Sequence, residues 1–114
     1  MTIIYKIMPE ALWRDAEAGG TFDGAPVDVA DGFIHFSTAD QVRETAARHF
    51  KGQSDLLLIA FEAEVFGEAL KWEPSRGGAL FPHLYAGVPV DRALWVRALP
   101  LDADGSHRFP ELGQ

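Results

Sequence analysis

The 114-residue chain contains no cysteine, which excludes disulfide scaffolds, thiol enzymes, iron–sulfur proteins and thiolate zinc sites. Long apolar runs are also missing. The longest, Leu56 to Phe61, is far short of the roughly 20 residues that a membrane-spanning helix needs. The opening Met1-Thr2-Ile3-Ile4-Tyr5-Lys6 carries no basic segment ahead of an apolar stretch, so the sequence predicts no membrane association and a cytoplasmic location. Positive charge is scarce. Ten Lys and Arg against 17 Asp and Glu give a net charge of −7 and a pI near 4.9. Such a surface repels a polyphosphate backbone, so long nucleic acids are not expected partners, although Arg43, Arg48 and Lys51 form one short basic cluster. No HExxH, His-x-His, EF-hand or Walker pattern occurs, so no metal site is expected. A Rossmann cofactor site is equally unsupported, because no GxGxxG follows a strand.

What is present is an ordinary globular composition, 47% hydrophobic and 24% charged, on a chain long enough to bury about two-thirds of its unfolded surface. Residues 1–100 read as one globular domain. Residues 101–114 read as a polar C-terminal extension, because the hydrophobic periodicity stops there. Thr2 to Ile7 predicts a first strand, and Pro9 to Ala18 a helix stopped by Gly19-Gly20 and burying Leu12 and Ala16. Trp13 lies off that stripe and reads as core. Thr21 to Gly32, rich in Asp and Gly, predicts a loop.

Phe33 to Ser37 predicts a short strand with Ile34 and Phe36 on one face and Phe33, His35 and Ser37 on the other. Thr38-Ala39-Asp40-Gln41 is a capping-box pattern opening a second helix with a Val42, Ala46, Phe50 stripe and a Glu44–Arg48 pair. Gly52 ends it. Leu56 to Glu62, apolar without alternation, predicts a central strand covered on both faces. Ala69 to Glu73 predicts another strand, Phe81 to Pro89 an irregular aromatic segment, and Asp91 to Leu99 a last strand. The elements do not interleave regularly, so the fold class is α+β.

Three groups of residues invite a functional reading. His35 and Ser37 project from one strand face about 7 Å apart, suited to flanking one ligand and too far apart to form a nucleophile pair. Thr38 follows at a helix N-terminus, where exposed N–H groups attract anionic or hydroxyl-rich ligands. Glu73 lies in Lys71-Trp72-Glu73-Pro74-Ser75-Arg76 and reads equally as a solvated edge residue or a catalytic carboxylate. Phe81-Pro82-His83-Leu84-Tyr85 offers aromatic surfaces and an imidazole, and reads as a binding surface or as a segment packed on the core. His49 and His107 lack a partner at ligand spacing.

The set Ile4-Tyr5-Lys6-Ile7, Trp13, Asp31 to Thr38 with Gln41, Trp72-Glu73 and Phe81 to Tyr85 resembles the small bacterial family called domain of unknown function 952, from residue 3 to about residue 100. More distantly, the chain resembles the ADP-ribosyltransferase superfamily. Its Ile34-His35-Phe36-Ser37 strand is similar to the His-x-Ser strand of the RNA 2′-phosphotransferases. That resemblance implies a split mixed sheet with two main helices, clamping NAD or a related nucleotide in a cleft. It implies that His35 binds a ribose hydroxyl, that Ser37 supports the cleft wall and that Glu73 stabilises an oxocarbenium-like ribose. Tyr85 would be an aromatic lid, His83 would line the cleft, and the dinucleotide contact on the first strand would fall on Tyr5 or Lys6. The alternatives are a noncatalytic module that binds a nucleotide-like metabolite and a partner-binding protein using Phe81 to Tyr85.

Overall fold

The computed structural model describes residues 1–112 and is built on a four-stranded sheet. Its central pair is β1 (Ile3–Pro9) against β5 (Leu56–Glu62), in register from Ile3↔Glu62 to Pro9↔Leu56. The last strand, β9 (Ala93–Leu99), covers the other edge of β5. Because β5 is central and both faces are covered, its apolar run is buried throughout from Leu56 to Phe61, as the sequence predicts.

Alternation along β1 and β5 sends side chains into two separate cores. On one face Tyr5, Ile7, Leu56, Leu58 and Ala60 meet Val42 and Ala46 of α3 (Ala39–His49). On the other, Ile4, Met8, Leu57, Ile59 and Phe61 meet Trp13 and Ala16 of α1 (Glu10–Gly19). Trp13 is a core residue, edge-on to Phe61 at 6.4 Å between centroids. Leu12, expected on the buried stripe, is only partly buried. The α3 start also follows the sequence: the Thr38 N–H donates to Gln41 Oε1 at 3.0 Å, and Glu44 pairs with Arg48.

Two segments read as irregular are ordered elements. The predicted loop from Thr21 to Gly32 contains β2 (Thr21–Phe22) and α2 (Pro26–Asp31). Pro26 supplies the fixed φ of a first helical turn, and Gly32 closes α2 at φ 89°, a left-handed conformation in which glycine escapes Cβ strain. The expected aromatic loop is β7 (Ala79–Leu84), the middle strand of a three-stranded sheet between β3 (Ile34–His35) and β6 (Leu70–Ser75). Pro74 interrupts only the edge strand β6, where a missing N–H is tolerated. A third, two-stranded sheet pairs β2 with β8 (Val88–Pro89). Every ladder among the described residues is antiparallel, where a mixed sheet is expected, and α1 and α3 are the two main helices. Beyond β9, Leu101 bridges to His107, and Phe109 and Leu112 pack against the α3-side core. No helix among the described residues is long and apolar enough to cross a membrane.

Candidate functional site

The expected strand from Phe33 to Ser37 is broken at Phe36, and that break makes the cleft. β3 pairs with β7 through Ile34↔Leu84 and His35↔His83, whereas the next residues, β4 (Ser37–Thr38), pair with β1 through Tyr5↔Ser37 and Ile4↔Thr38. One short segment therefore belongs to both sheets. Beyond Tyr5, β1 continues past the end of β4 while β3 leans towards β7. The gap is a cavity of about 520 Å³ lined by Lys6, Asp31, His35, Ser37, Thr45, His49 and His83 among apolar walls that include Ile7, Phe50 and Phe81.

Behind His35 lies a buried ion network. Lys6, next to the gap, turns its Nζ to both carboxylate oxygens of Asp28 at 3.0 Å and to the His35 carbonyl at 2.8 Å. Asp28 is fully buried and also accepts the backbone N–H of Ala25 at 2.8 Å and of His35 at 3.1 Å, and His35 Nδ1 at 2.6 Å. Burial alone would push the Asp28 carboxyl up, but the His35 bond, the Lys6 charge and the Ala25 N–H prevail and set it at about 2. For Lys6 the balance is opposite: burial lowers its pKa despite Asp28. The other His35 nitrogen, Nε2, lies 2.9 Å from Asp31 Oδ2. Carboxylates therefore hold both edges of the His35 ring.

A second carboxylate–imidazole pair stands beside the first. The β6–β7 register places Lys71 opposite His83, so Glu73, two residues along, lies on the same face as His83 and Tyr85. Glu73 Oε1 accepts His83 Nδ1–H at 2.8 Å and the Tyr85 O–H at 2.8 Å. These two bonds, His83's first, lower the Glu73 pKa, and the same carboxylate raises that of Tyr85. Phe33 stacks on His83 at 4.1 Å and 28° and also contacts the rings of His35 and Tyr85. The His35 and His83 rings meet edge-on, 5.5 Å apart.

The structure thus brings Lys6, His35, Ser37 and His83 to one cavity and leaves Thr38, Glu73 and Tyr85 outside its lining. Thr38 is the helix cap. Glu73 reaches the cavity only through His83, and Tyr85 is a half-exposed ring whose hydroxyl is committed to Glu73. Ser37 is buried and donates to Thr45 Oγ1 at 2.9 Å, since the Thr45 hydroxyl donates onward to the Gln41 carbonyl. Sequence reasoning missed Asp28, Asp31, Thr45 and His49. Asp28 and Asp31 sit in a six-residue helix too short to show periodicity, while Thr45 and His49, four residues apart on α3, shared a face that the sequence already disclosed. The basic cluster divides: Arg48 pairs with Glu44, while Arg43 and Lys51 line a second cavity of about 480 Å³ beside His107 and Phe109.

Against known proteins, the crystal structure of protein CC0527 from Caulobacter crescentus shares 54% identity over 94% of both chains, with a TM-score of 0.91. The solution structure of the same protein shares 56% identity over 93% of this chain and 91% of that one, with a TM-score of 0.84. A search of the curated proteins gives no match. The family described as "Protein of unknown function (DUF952)" matches residues 7–96, which include Asp31, His35, Ser37, Thr45, His49 and His83 of the cleft. The chain belongs to the DUF952 family.

Proposed function

We propose that the cleft between β1 and β3 binds a ribose-containing nucleotide, NAD or a close relative. The observation that carries this reading is the composition of the 520 Å³ cavity. Its volume lies in the range of small-molecule sites, which combine apolar walls with a few convergent polar groups. Phe50 and Phe81 offer flat apolar surface to a ring, and the Asp31 carboxylate can accept hydroxyl protons of a sugar beside His35. A sheet split around a cleft is also what the resemblance to ADP-ribosyltransferases implies. In this reading His35 and Ser37 are wall residues, and Lys6 stiffens the wall through Asp28 and does not itself contact the ligand.

A noncatalytic binder is the second reading, favoured by Glu73 standing outside the cavity lining. The partner-binding reading loses support, because Phe81 to Leu84 form a buried strand. Calorimetry with NAD, ADP-ribose and nicotinamide tests the proposal, using Val27→Trp as the control. Val27 is exposed on α2 and lines the cavity, so a larger side chain there narrows the opening with little effect on the core. The proposal expects saturable NAD binding that weakens at least about tenfold in Val27→Trp, more than 1.4 kcal/mol. Absence of binding by the wild type, or equal affinity in the variant, contradicts it.

A further inference from the structure

We propose that the second cavity, between α3 and the C-terminal segment, binds a small organic acid that presents one carboxylate on an apolar body. The site is independent of the nucleotide reading of the cleft. The cavity of about 480 Å³ is lined by Arg43, Ala46 and Ala47 of α3, by Lys51 just beyond that helix, and by residues 104–107 with Phe109. Thr45 and His49, also on α3, line the cleft instead, so the helix separates the two sites. The C-terminal segment is tied down as a wall. Gly52 donates its N–H to the Gly105 carbonyl at 2.9 Å, His107 Nε2–H donates to the Gln53 carbonyl at 2.8 Å, and Leu101 bridges to His107. Phe109 packs against the α3-side core.

Two cations border this space, and each has its approach set by the wall. The Arg43 guanidinium lies over the Phe109 ring, 5.2 Å from its centroid, a cation–π contact that leaves the N–H donors available. The Lys51 stem packs over Gly105, where a Cβ would lie 3.6 Å from Lys51 Cγ and Cε. Neither Arg43 nor Lys51 has an ion-pair partner among the described residues, whereas Arg14, Arg48 and Arg108 are each paired with a carboxylate. The carboxylate in the lining, Asp104, accepts both the N–H and the O–H of Ser106 on Oδ1, at 3.0 and 2.6 Å.

The charges select the ligand. Arg43 and Lys51 against Asp104 leave one net positive charge, with His107 counted neutral, and a single carboxylate neutralises it. A phosphate dianion would bring a second negative charge close to Asp104 and to the C-terminal end of α3, the negative pole of that helix. The planar guanidinium fork matches a carboxylate through two parallel hydrogen bonds, and Lys51 adds a compact charge. Ala46, Ala47 and Phe109 offer the apolar body its contact surface.

The probes are benzoate and benzamide, which share a ring and differ in the charge of the head group, with inorganic phosphate as the third. The isotope-labelled full chain is titrated with each at constant ionic strength, and affinity is read from the amide shifts of Arg43, Ala47, Lys51, Ser106 and His107. Benzoate should shift these residues saturably, while benzamide and phosphate should do so at least about tenfold more weakly, the scale of losing a charge-assisted contact. Arg43→Gln should weaken benzoate at least about tenfold for the same reason. Arg48→Gln, which removes a cation paired with Glu44 outside the lining, should leave affinity within about twofold, as expected for a screened surface charge. Both positions are exposed, so neither substitution disturbs the core. Equal binding of benzoate and benzamide, phosphate binding as tight as benzoate, an undiminished affinity in Arg43→Gln, an equal loss in Arg48→Gln, or no saturable shift at millimolar benzoate overturns the inference.

Discussion

Phe36 donates its N–H to the Pro82 carbonyl at 3.0 Å, and Pro82 has no N–H to give in return. In an antiparallel ladder the two groups of a residue point to the same side, so the β3–β7 ladder cannot close beyond His35↔His83. The chain leaves it at Phe36 and joins β1 as β4. A proline in the middle strand of a sheet is unusual, and here it sets where the cleft opens.

Pro82→Ala restores the missing donor. A slow-exchanging amide at position 82 is expected in hydrogen-exchange spectra, together with weaker ligand binding as β3 is drawn onto β7. Global stability should change by less than about 1 kcal/mol, because one added hydrogen bond and the greater freedom of the unfolded chain offset each other. A fast-exchanging amide at position 82 would mean that the ladder ends for another reason.

Asp28→Asn should be the most damaging single change near the site. It leaves Lys6 buried without its counterion and weakens the bonds to His35 and Ala25, and breaking one side of a buried ion pair costs about 3–5 kcal/mol. Urea denaturation measures this. A loss below 1 kcal/mol would show that Lys6 finds solvent at little cost.

Asp28 also predicts an acid limb in stability. Its carboxyl sits at about 2 in the fold against an ordinary 3.8, so the unfolded chain binds its proton more readily. The stabilisation is complete above the ordinary value, declines as pH falls below it and is gone below about 2, amounting to roughly 1–2 kcal/mol. Urea midpoints at pH 5, 3 and 2 should fall more steeply in wild type than in Asp28→Asn. Parallel curves would remove Asp28 as the cause.

Tyr85 lies outside the cavity lining, and only its hydroxyl is tied to Glu73. Tyr85→Phe should leave nucleotide affinity within about twofold and stability little changed, because the hydrogen bond it removes is exposed to solvent. In the wild type the Tyr85 phenol should titrate above its ordinary value, because the bond to Glu73 and then burial raise it, and Glu73→Gln should reduce that rise. A tenfold loss of affinity in Tyr85→Phe would place the hydroxyl against the ligand.

The large sheet and its two helices were legible because their signals are local and periodic: the Thr38–Gln41 cap, the Val42 and Ala46 stripe, and the continuous apolar run of β5. The small sheet was not. β7 carries a proline, and its strand character comes from neighbours distant in sequence: β3, 48 residues earlier at the His35↔His83 pair, and β6. At the site, alternation placed His35 and Ser37 at one cleft, whereas the partners that fix their chemistry, Asp28, Asp31 and Thr45, depend on tertiary contacts. Glu73 was singled out for its charge, but the strand register turns that charge towards His83.

The most direct test of the nucleotide cleft is an NMR titration of the isotope-labelled chain with NAD. The account predicts saturable shift changes at Lys6, Asp31, His35 to Ser37, Thr45, His49 and His83, which border the cavity on six separate elements. Arg43, Lys51, His107 and Phe109, around the second cavity, should stay unmoved. Changes confined to that second set, or none at millimolar NAD, would contradict it.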